Sequence, residues 1–420
     1  MSKQKQQTNY SFALTVVIVV CFLLGFITTM NNSMIDFCKQ TFGLSETQGQ
    51  LVNTAFYGAY ILSIPLAFLM NRIGYKKTLV LGLGVIALGF FLNYFGIGVF
   101  ADSNAIYPVF LSCMFCVAIG IVLLQLVANP YVMALGSPEK GAFRMTLSQT
   151  FNSVATTVAP IFVSMLIVSG AEGYNASSIK VPFLGLAIFT LVLCLILSKI
   201  KLPAIKEGEE SYDKGKTYKS SVFQYPHTIL CGLAIFMYMG VEIGVPSFIP
   251  AKFRGLLESG AIDSGALGFL VDSNTGLPDP TKLLPFYWGG MLVGRALGTV
   301  ILSRLKPRII LTTSVLISMI CIGLSFVLPG MAGIYALVAT GLFHSIMWPL
   351  IFNLGLEDLG PNTKAASGVI NTGVIGAAIL TPMMGKITEV SGLSVAIAML
   401  FVYYLYILLF SAKLSKIRPK

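Results

Sequence analysis

Apolar residues run along this chain in long uninterrupted blocks separated by short polar stretches. The blocks fall at roughly 11–31, 49–70, 78–99, 107–128, 145–168, 182–200, 227–248, 283–303, 309–328, 334–355, 365–386 and 393–412. Each is close to the ~20 residues that a helix needs to cross a hydrocarbon core. A membrane β-barrel would instead show segments of about ten residues with alternating hydropathy, and nothing here alternates. The pattern predicts an all-α polytopic membrane protein with twelve transmembrane helices.

Composition agrees. Of 420 residues, 55% are hydrophobic and 11% charged, and the mean hydropathy is +0.82. A soluble protein carries about 25% charged residues, so a water-facing surface could not be built. This excludes a soluble enzyme, a nucleic-acid-binding domain and a disordered tail. The net charge of +11 is explained by its distribution. With both termini cytoplasmic, 21 of the 28 Lys and Arg lie on the cytoplasmic side, six lie outside, and Arg295 is left inside a span. That asymmetry follows the positive-inside rule and needs no nucleic acid.

Other chemistry is sparse. The polar start, Met1 to Tyr10, precedes an apolar block without a small-residue cleavage site, which reads as a retained first helix. Seven cysteines, with only Cys38 in an expected loop, give no disulfide framework and no metal spacing. There is no Gly-x4-Gly-Lys-Ser/Thr loop for ATP and no catalytic constellation. The expectation is a protein that is not an enzyme and uses no cofactor or metal.

The longest cytoplasmic segment divides the chain into 1–200, a linker at 201–225, and 226–420. The halves echo one another. Span four ends Pro130-x4-Leu135-Gly136 and span ten ends Pro349-x4-Leu354-Gly355. Basic loops follow spans two and eight. Two pseudo-symmetric six-helix bundles are a common plan for secondary transporters. Small residues also recur every fourth position: Ala55, Ala59, Ser63 and Ala67 in span two; Gly290, Gly294 and Gly298 in span eight; Gly373, Ala377, Thr381 and Gly385 in span eleven. Such stripes allow close backbone approach, either as static packing or as a sliding interface between rocking halves.

Asn71-Arg72-x-Gly74-x-Lys76-Lys77 after span two resembles the loop signature of the major facilitator superfamily, with Asn71 where an aspartate is usual. Gln125-Leu-Val-Ala-Asn129-Pro130-Tyr131, Gln149-Thr-Phe-Asn152-Ser153, Tyr287-Trp288-Gly289-Gly290 and Gly294-Arg295 resemble the fucose–proton symporter family, most of all its glucose/galactose-type branch. The resemblance implies a major facilitator fold and import of a monosaccharide across a bacterial inner membrane, usually with protons, by a monomer surrounded by lipid. It also implies that two proton-carrying carboxylates are missing. The positions that carry them in the family hold Asn32 and Gln125 here, and amides do not titrate. A coupled symporter, an uncoupled facilitator and, more distantly, a membrane sugar sensor therefore stay open.

Polar side chains inside spans are costly and each needs a partner or a purpose. By the block boundaries, Glu242 is the acid and Arg295 the base that lie well inside. They could form a structural contact, or Glu242 could be a protonation or sugar-hydroxyl site. Gln125 and Asn129 share one helical face, and Gln149 and Asn152 another. Amides donate and accept, which suits a polyhydroxylated ring, though they also bind helix to helix. Asn31 and Asn32 fall at the outer end of span one, where they could bind substrate or cap the helix. Trp288 offers an aromatic face for a sugar or an interfacial anchor. His344 is a second titratable candidate or a neutral packing group, and Asn371 in span eleven joins the binding list. His227, at the water-facing start of span seven, reads as ordinary.

Overall fold

The computed structural model describes residues 2–100, 105–134, 141–168, 175–200, 218–262, 268–271, 278–302, 305–359 and 362–417. Most of the linker at 201–225 lies outside them. The described chain forms fourteen α-helices. In the first half these are α1 (Ser2–Phe42), α2 (Glu46–Gly58), α3 (Ser63–Ile73), α4 (Tyr75–Val99), α5 (Ile106–Ala134), α6 (Gly141–Val163) and α7 (Lys180–Lys199). In the second they are α8 (Pro226–Glu258), α9 (Leu284–Leu302), α10 (Pro307–Val327), α11 (Gly330–Leu356), α12 (Thr363–Thr372), α13 (Gly376–Ser391) and α14 (Leu393–Ala412). A 3-10 turn joins α2 to α3 and another joins α12 to α13, so each pair makes one bent span. Among the described residues there is no strand, only an isolated bridge between Val271 and Pro278.

Eleven of these helical segments are long and apolar enough to cross a membrane, and α9 occupies the place of the eighth expected span. Bulky apolar side chains stand on the outside of the bundle, among them Phe95 at 62%, Val181 at 76% and Leu195 at 53% exposed. Such a surface is stable against lipid and not against water. Proline lies inside α6, α8, α11 and α13, as packed membrane helices tolerate because neighbours satisfy the freed carbonyls.

Two boundaries differ from the apolar blocks. Span one does not stop near residue 31 but continues as one helix to Phe42, and span seven runs on to Glu258. Asn31 and Asn32 therefore sit in the interior of α1, not at an end they could cap. The extensions are polar because their side chains pair with one another inside the bundle. Asp36 of α1 meets Arg254 of α8 in an ion pair, and Lys39 of α1 meets Glu46 of α2. Low hydropathy there marks partnered polar groups and not the end of a helix. Glu242 and Arg295 are thus not the sole charges inside the helices.

The small-residue stripes face different partners. A Cβ added at Gly294 would collide with the Leu342 carbonyl oxygen and with Ser345 Oγ, and one at Gly290 would lie 3.3 Å from Leu342 N. One at Gly298 would meet Ile346. The span-eight stripe thus packs on α11, a helix of its own half. The span-eleven stripe reaches across: a Cβ at Gly385 would lie 2.9 Å from the Glu46 carbonyl oxygen on α2. Thr54 Oγ1 donates to the Ala378 carbonyl along the same seam at 2.8 Å. Because the obstacle at Gly294 is backbone and cannot swing aside, Gly294→Ala should cost about 1–3 kcal/mol of stability through overpacking. Thermal unfolding of the detergent-solubilised protein checks this, and an unchanged midpoint would mean that the α9–α11 contact has slack.

Candidate functional site

Polar side chains from both halves meet where α1, α2, α5 and α6 face α8 and α9. Arg295 on α9 is the hinge of this cluster. Its guanidinium crosses to α6, donating from Nη1 to Ser153 Oγ at 2.6 Å and to Asn152 Oδ1 at 3.5 Å. On its own half, Nε donates to the Ser345 carbonyl at 3.3 Å. Arginine cannot shed its charge, so an arginine half-buried in the bundle needs acceptors around it. Asn152 is oriented in turn by its Nδ2, which donates to the Cys21 carbonyl of α1 at 2.9 Å. The absence of a side chain at Gly25 is what lets Asn152 lie against α1, since a Cβ there would fall 2.7 Å from its Nδ2.

Glu242 projects from α8 into the same region. It is within electrostatic reach of Arg295, of Tyr57 and Tyr60 on the first half, and of Tyr238 and Tyr287 on the second. Among the described residues no ion pair joins Glu242 to Arg295, whose described donors go to Ser153, Asn152 and Ser345. Within the first half, Tyr60 donates its hydroxyl to Gln125 Oε1. Tyr57 stacks on Tyr60 with ring centroids 6.2 Å apart. Asn152 thus joins this neighbourhood through Arg295, and Gln125 through Tyr60, which is within the field of Glu242.

Asn32 also faces the second half, where Ser247 Oγ of α8 donates to its Oδ1 at 3.4 Å. Asn31 points into the first half. Its Nδ2 donates to Asn53 Oδ1 at 3.3 Å, and Asn53 donates to Gln50 Oε1 at 3.0 Å. Trp288 is 4% exposed, which removes the interfacial-anchor reading, because an anchor stands at the lipid–water boundary. Its ring meets Tyr287 edge-on at 5.1 Å. Asn31 Oδ1, Asn32 Nδ2, Tyr57 Oη and Trp288 Nε1 are buried without a hydrogen-bond partner. Buried polar atoms are nearly always paired, so these orphans stand out within the cluster.

His344 stands behind this region. Tyr287 donates its hydroxyl to the Glu242 carbonyl at 3.1 Å, and the same oxygen lies 2.7 Å from His344 Nδ1. With that proton committed, Nδ1 must be the donor, and a neutral ring then accepts at Nε2 from the Tyr404 hydroxyl 2.6 Å away. Tyr238 caps the arrangement by donating to the His344 carbonyl at 2.9 Å. Both ring nitrogens are engaged and the residue is fully buried, so His344 braces Tyr287 and α8 without facing the cleft.

Gln149 is half-buried one turn before Ser153 on α6, and its carbonyl accepts from Ser153 Oγ at 2.9 Å. Asn371 is half-buried at the end of α12, with its Oδ1 unpartnered. The side chains of Asn129 and Asn71 lie outside the described residues. Arg72 is exposed, and Gly74, at φ +80°, turns the chain from α3 into α4. His227 Nε2 lies 2.9 Å from the Glu357 carbonyl, a structural contact. Sequence reasoning missed Tyr57, Tyr60, Tyr238, Tyr287 and Ser247. Their only signal was hydroxyl-bearing side chains within apolar spans, which is too common to single out. Among the described residues, no three His, Cys, Asp or Glu side chains gather as metal ligands.

If His344 is a brace, His344→Phe should strip both tyrosine hydroxyls of a ring-nitrogen partner and cost about 1–3 kcal/mol. Thermal unfolding in detergent measures it, and a variant as stable as the parent would remove the relay.

Residues 17–382 match the sequence profile of the Major Facilitator Superfamily. The chain is 35% identical over 411 residues to the glucose/galactose transporter of Brucella abortus (strain 9-941), covering 97% of this chain and 95% of that protein. It is 29% identical over 410 residues to the L-fucose-proton symporter of Escherichia coli (strain K12), covering 92% and 89%. Among solved structures it resembles the Major Facilitator Superfamily transporter FucP in its outward conformation. That match has a TM-score of 0.70 and 26% identity, and covers 97% of this chain and 100% of the other. These relatives are transporters, not enzymes.

Proposed function

The chain belongs to the Major Facilitator Superfamily, and we propose that it imports a monosaccharide of the hexose, fucose or amino-sugar type together with protons. The observation that carries this reading is the polar cluster between the halves, in which Arg295 reaches Ser153 and Asn152 while Glu242 lies within the field of Arg295 and of Tyr60, the partner of Gln125. The printed activities of the relatives, glucose/galactose transport and L-fucose–proton symport, support the substrate class.

The chemistry suits a sugar. Gln125 and Asn152 both donate and accept, Glu242 accepts, Arg295 donates, and the tyrosine rings supply flat apolar faces for C–H edges. Asn31, Asn32, Trp288, Gln149, Asn129 and Asn371 are further candidates for the lining. The substrate then sits at the junction of two six-helix halves, 1–200 and 226–420, which rock about it so that the site opens to one side at a time. The excess of Lys and Arg on the terminal side supports cytoplasmic termini and a bacterial inner membrane. The Asp36–Arg254 end then faces outward, and the contacts across it support reading this conformation as closed to the outside.

Proton coupling needs a group that loads on one side and unloads on the other, so its proton affinity must differ between states. Asn32 and Gln125 cannot serve. Glu242 can, because a carboxyl alternately wetted and sealed changes its preference for the neutral form. A facilitator is the second reading, and it rests on the two amides.

Two outcomes test the proposal. Gln125→Ala and Asn152→Ala should each weaken sugar binding about tenfold, the equivalent of one hydrogen bond of ~1.4 kcal/mol. Isothermal titration checks this, and parental affinity in both variants would take them out of the site. Glu242→Gln should abolish sugar accumulation driven by a pH gradient while leaving sugar exchange across proteoliposomes largely intact. Accumulation that survives in Glu242→Gln would move the coupling role to another group.

A further inference from the structure

We propose that Tyr60 is a positioning residue that fixes the amide of Gln125 with its nitrogen towards the sugar, so that Gln125 serves the substrate as a hydrogen-bond donor. The proposal rests on the sugar reading above and narrows it. The substrate atom that Gln125 meets is an acceptor, a hydroxyl or ring oxygen whose lone pairs are free.

Gln125 lies on α5 and is half-buried, and its Oε1 accepts from the Tyr60 hydroxyl. Tyr60 lies in the 3-10 turn Ala59–Leu62 that bends span two, and it is buried. Its ring stacks on Tyr57 with 27° between the planes, and Tyr57 is held edge-on by Phe56 at 5.3 Å. A side-chain amide can be turned end for end at little steric cost, so its partners must settle its orientation. Here the phenol settles it. A buried O–H needs an acceptor, and among the described residues the one that Tyr60 bonds is Gln125 Oε1. With the amide turned over, Nε2 would stand against the hydroxyl. Tyr60 could then only accept, and its own proton would be left unpaired inside the bundle, which is costly.

The orientation that satisfies Tyr60 leaves Nε2 with both hydrogens unclaimed by any described residue, and that atom is not among the sealed orphans. Glu242 of the second half acts on Tyr60, which sets the Tyr60–Gln125 pair at the junction and not on the lipid face. Asn152 differs, since its Nδ2 is spent on the Cys21 carbonyl and its Oδ1 faces Arg295. An ionised carboxylate in place of Gln125 would only accept, and Tyr60 would serve it equally well. The amide keeps that contact and offers the substrate a donor instead. A hydroxyl has one proton and two lone pairs. With Glu242 in the same neighbourhood as acceptor for the proton, the lone pairs are what remain for Gln125.

The test is isothermal titration of the purified protein with D-glucose, D-galactose and L-fucose as probes, in two arms. In the first, Gln125→Glu is compared with the parent between about pH 9 and about pH 4.5, a range that a partly buried carboxyl crosses. The ratio of the two affinities is read at each pH, which divides out the response of Glu242 and the other groups that both proteins share. Ionised, the introduced carboxyl can only accept. Protonated, it can accept from Tyr60 and donate to the sugar. The variant should therefore bind about tenfold more weakly than the parent at high pH and recover several-fold on acidification. A ratio that is flat, or that falls on acidification, overturns the proposal. In the second arm, Tyr60→Phe keeps the stack and removes only the hydroxyl. It should weaken binding about three- to tenfold in the parent, and by less than about twofold in Gln125→Ala, where no amide remains to be oriented. Equal losses in both backgrounds would make Tyr60 a packing residue and overturn the proposal. Either arm decides alone if a variant of the other does not fold. A parent that binds none of the probes removes the sugar reading and this proposal with it, whereas a parent that binds while an arm fails overturns the role of Tyr60 and leaves the sugar reading in place.

Discussion

A permanent positive charge inside a membrane bundle is the constraint from which the rest of this structure follows. Arg295 cannot be neutralised, so acceptors must be brought to it. It finds them on both halves: Ser153 and Asn152 on α6, and the Ser345 carbonyl on α11. That reach fixes α9 against α6 and obliges Asn152 to lie flat on α1, which in turn demands Gly25. Glu242 completes the balance without closing onto the guanidinium. A direct pair would be stable and inert. Together they offer an acceptor and a donor in one neighbourhood at the junction of the halves.

The same economy appears at the end away from the termini. There, Asp36–Arg254, Ser164–Asp279 and Glu389 with the α2 backbone all bridge the halves. The seam between α2 and α13 is lined by small residues, so backbone can approach backbone without interlocking side chains. Polar bridges of this kind are directional and can be exchanged for water or other partners, which apolar knobs cannot do without leaving voids. A transporter must break one face of its interface in every cycle, and this interface is made of contacts suited to breaking. The α9–α11 packing inside one half is the opposite case, where backbone-to-side-chain fit leaves no room for even a methyl group.

Much of this was legible in the sequence because lipid imposes a coarse and repetitive demand. Eleven of the twelve apolar blocks coincide with helical segments long and apolar enough to cross a membrane, and α9 occupies the place of the other. What hydropathy could not see was polar residues that continue a helix. Asn31, Asn32, Asp36 and Lys39 look like a loop, yet α1 carries them to Phe42 because each meets a partner or the cleft. Lys252 and Arg254 extend α8 for the same reason. Gln125, Asn152, Glu242 and Arg295 were legible as polar groups in apolar surroundings. That they converge was not, since it depends on the rotation of each helix about its axis. The partnership of Asp36 with Arg254 is 218 residues long in sequence, and no local pattern encodes it. His344 was ambiguous by type alone, and its two tyrosine partners, from α9 and α14, are what make it a brace.

The central claim is that a carboxyl at the junction of the halves couples sugar to protons although Asn32 and Gln125 carry none. Purified protein in proteoliposomes, loaded with radiolabelled hexose outside and subjected to an inward proton gradient, tests it most directly. The account predicts accumulation above the external concentration, collapsing when a protonophore dissipates the gradient. Uptake that stops at equal concentrations with or without the gradient would contradict it and make the protein a facilitator.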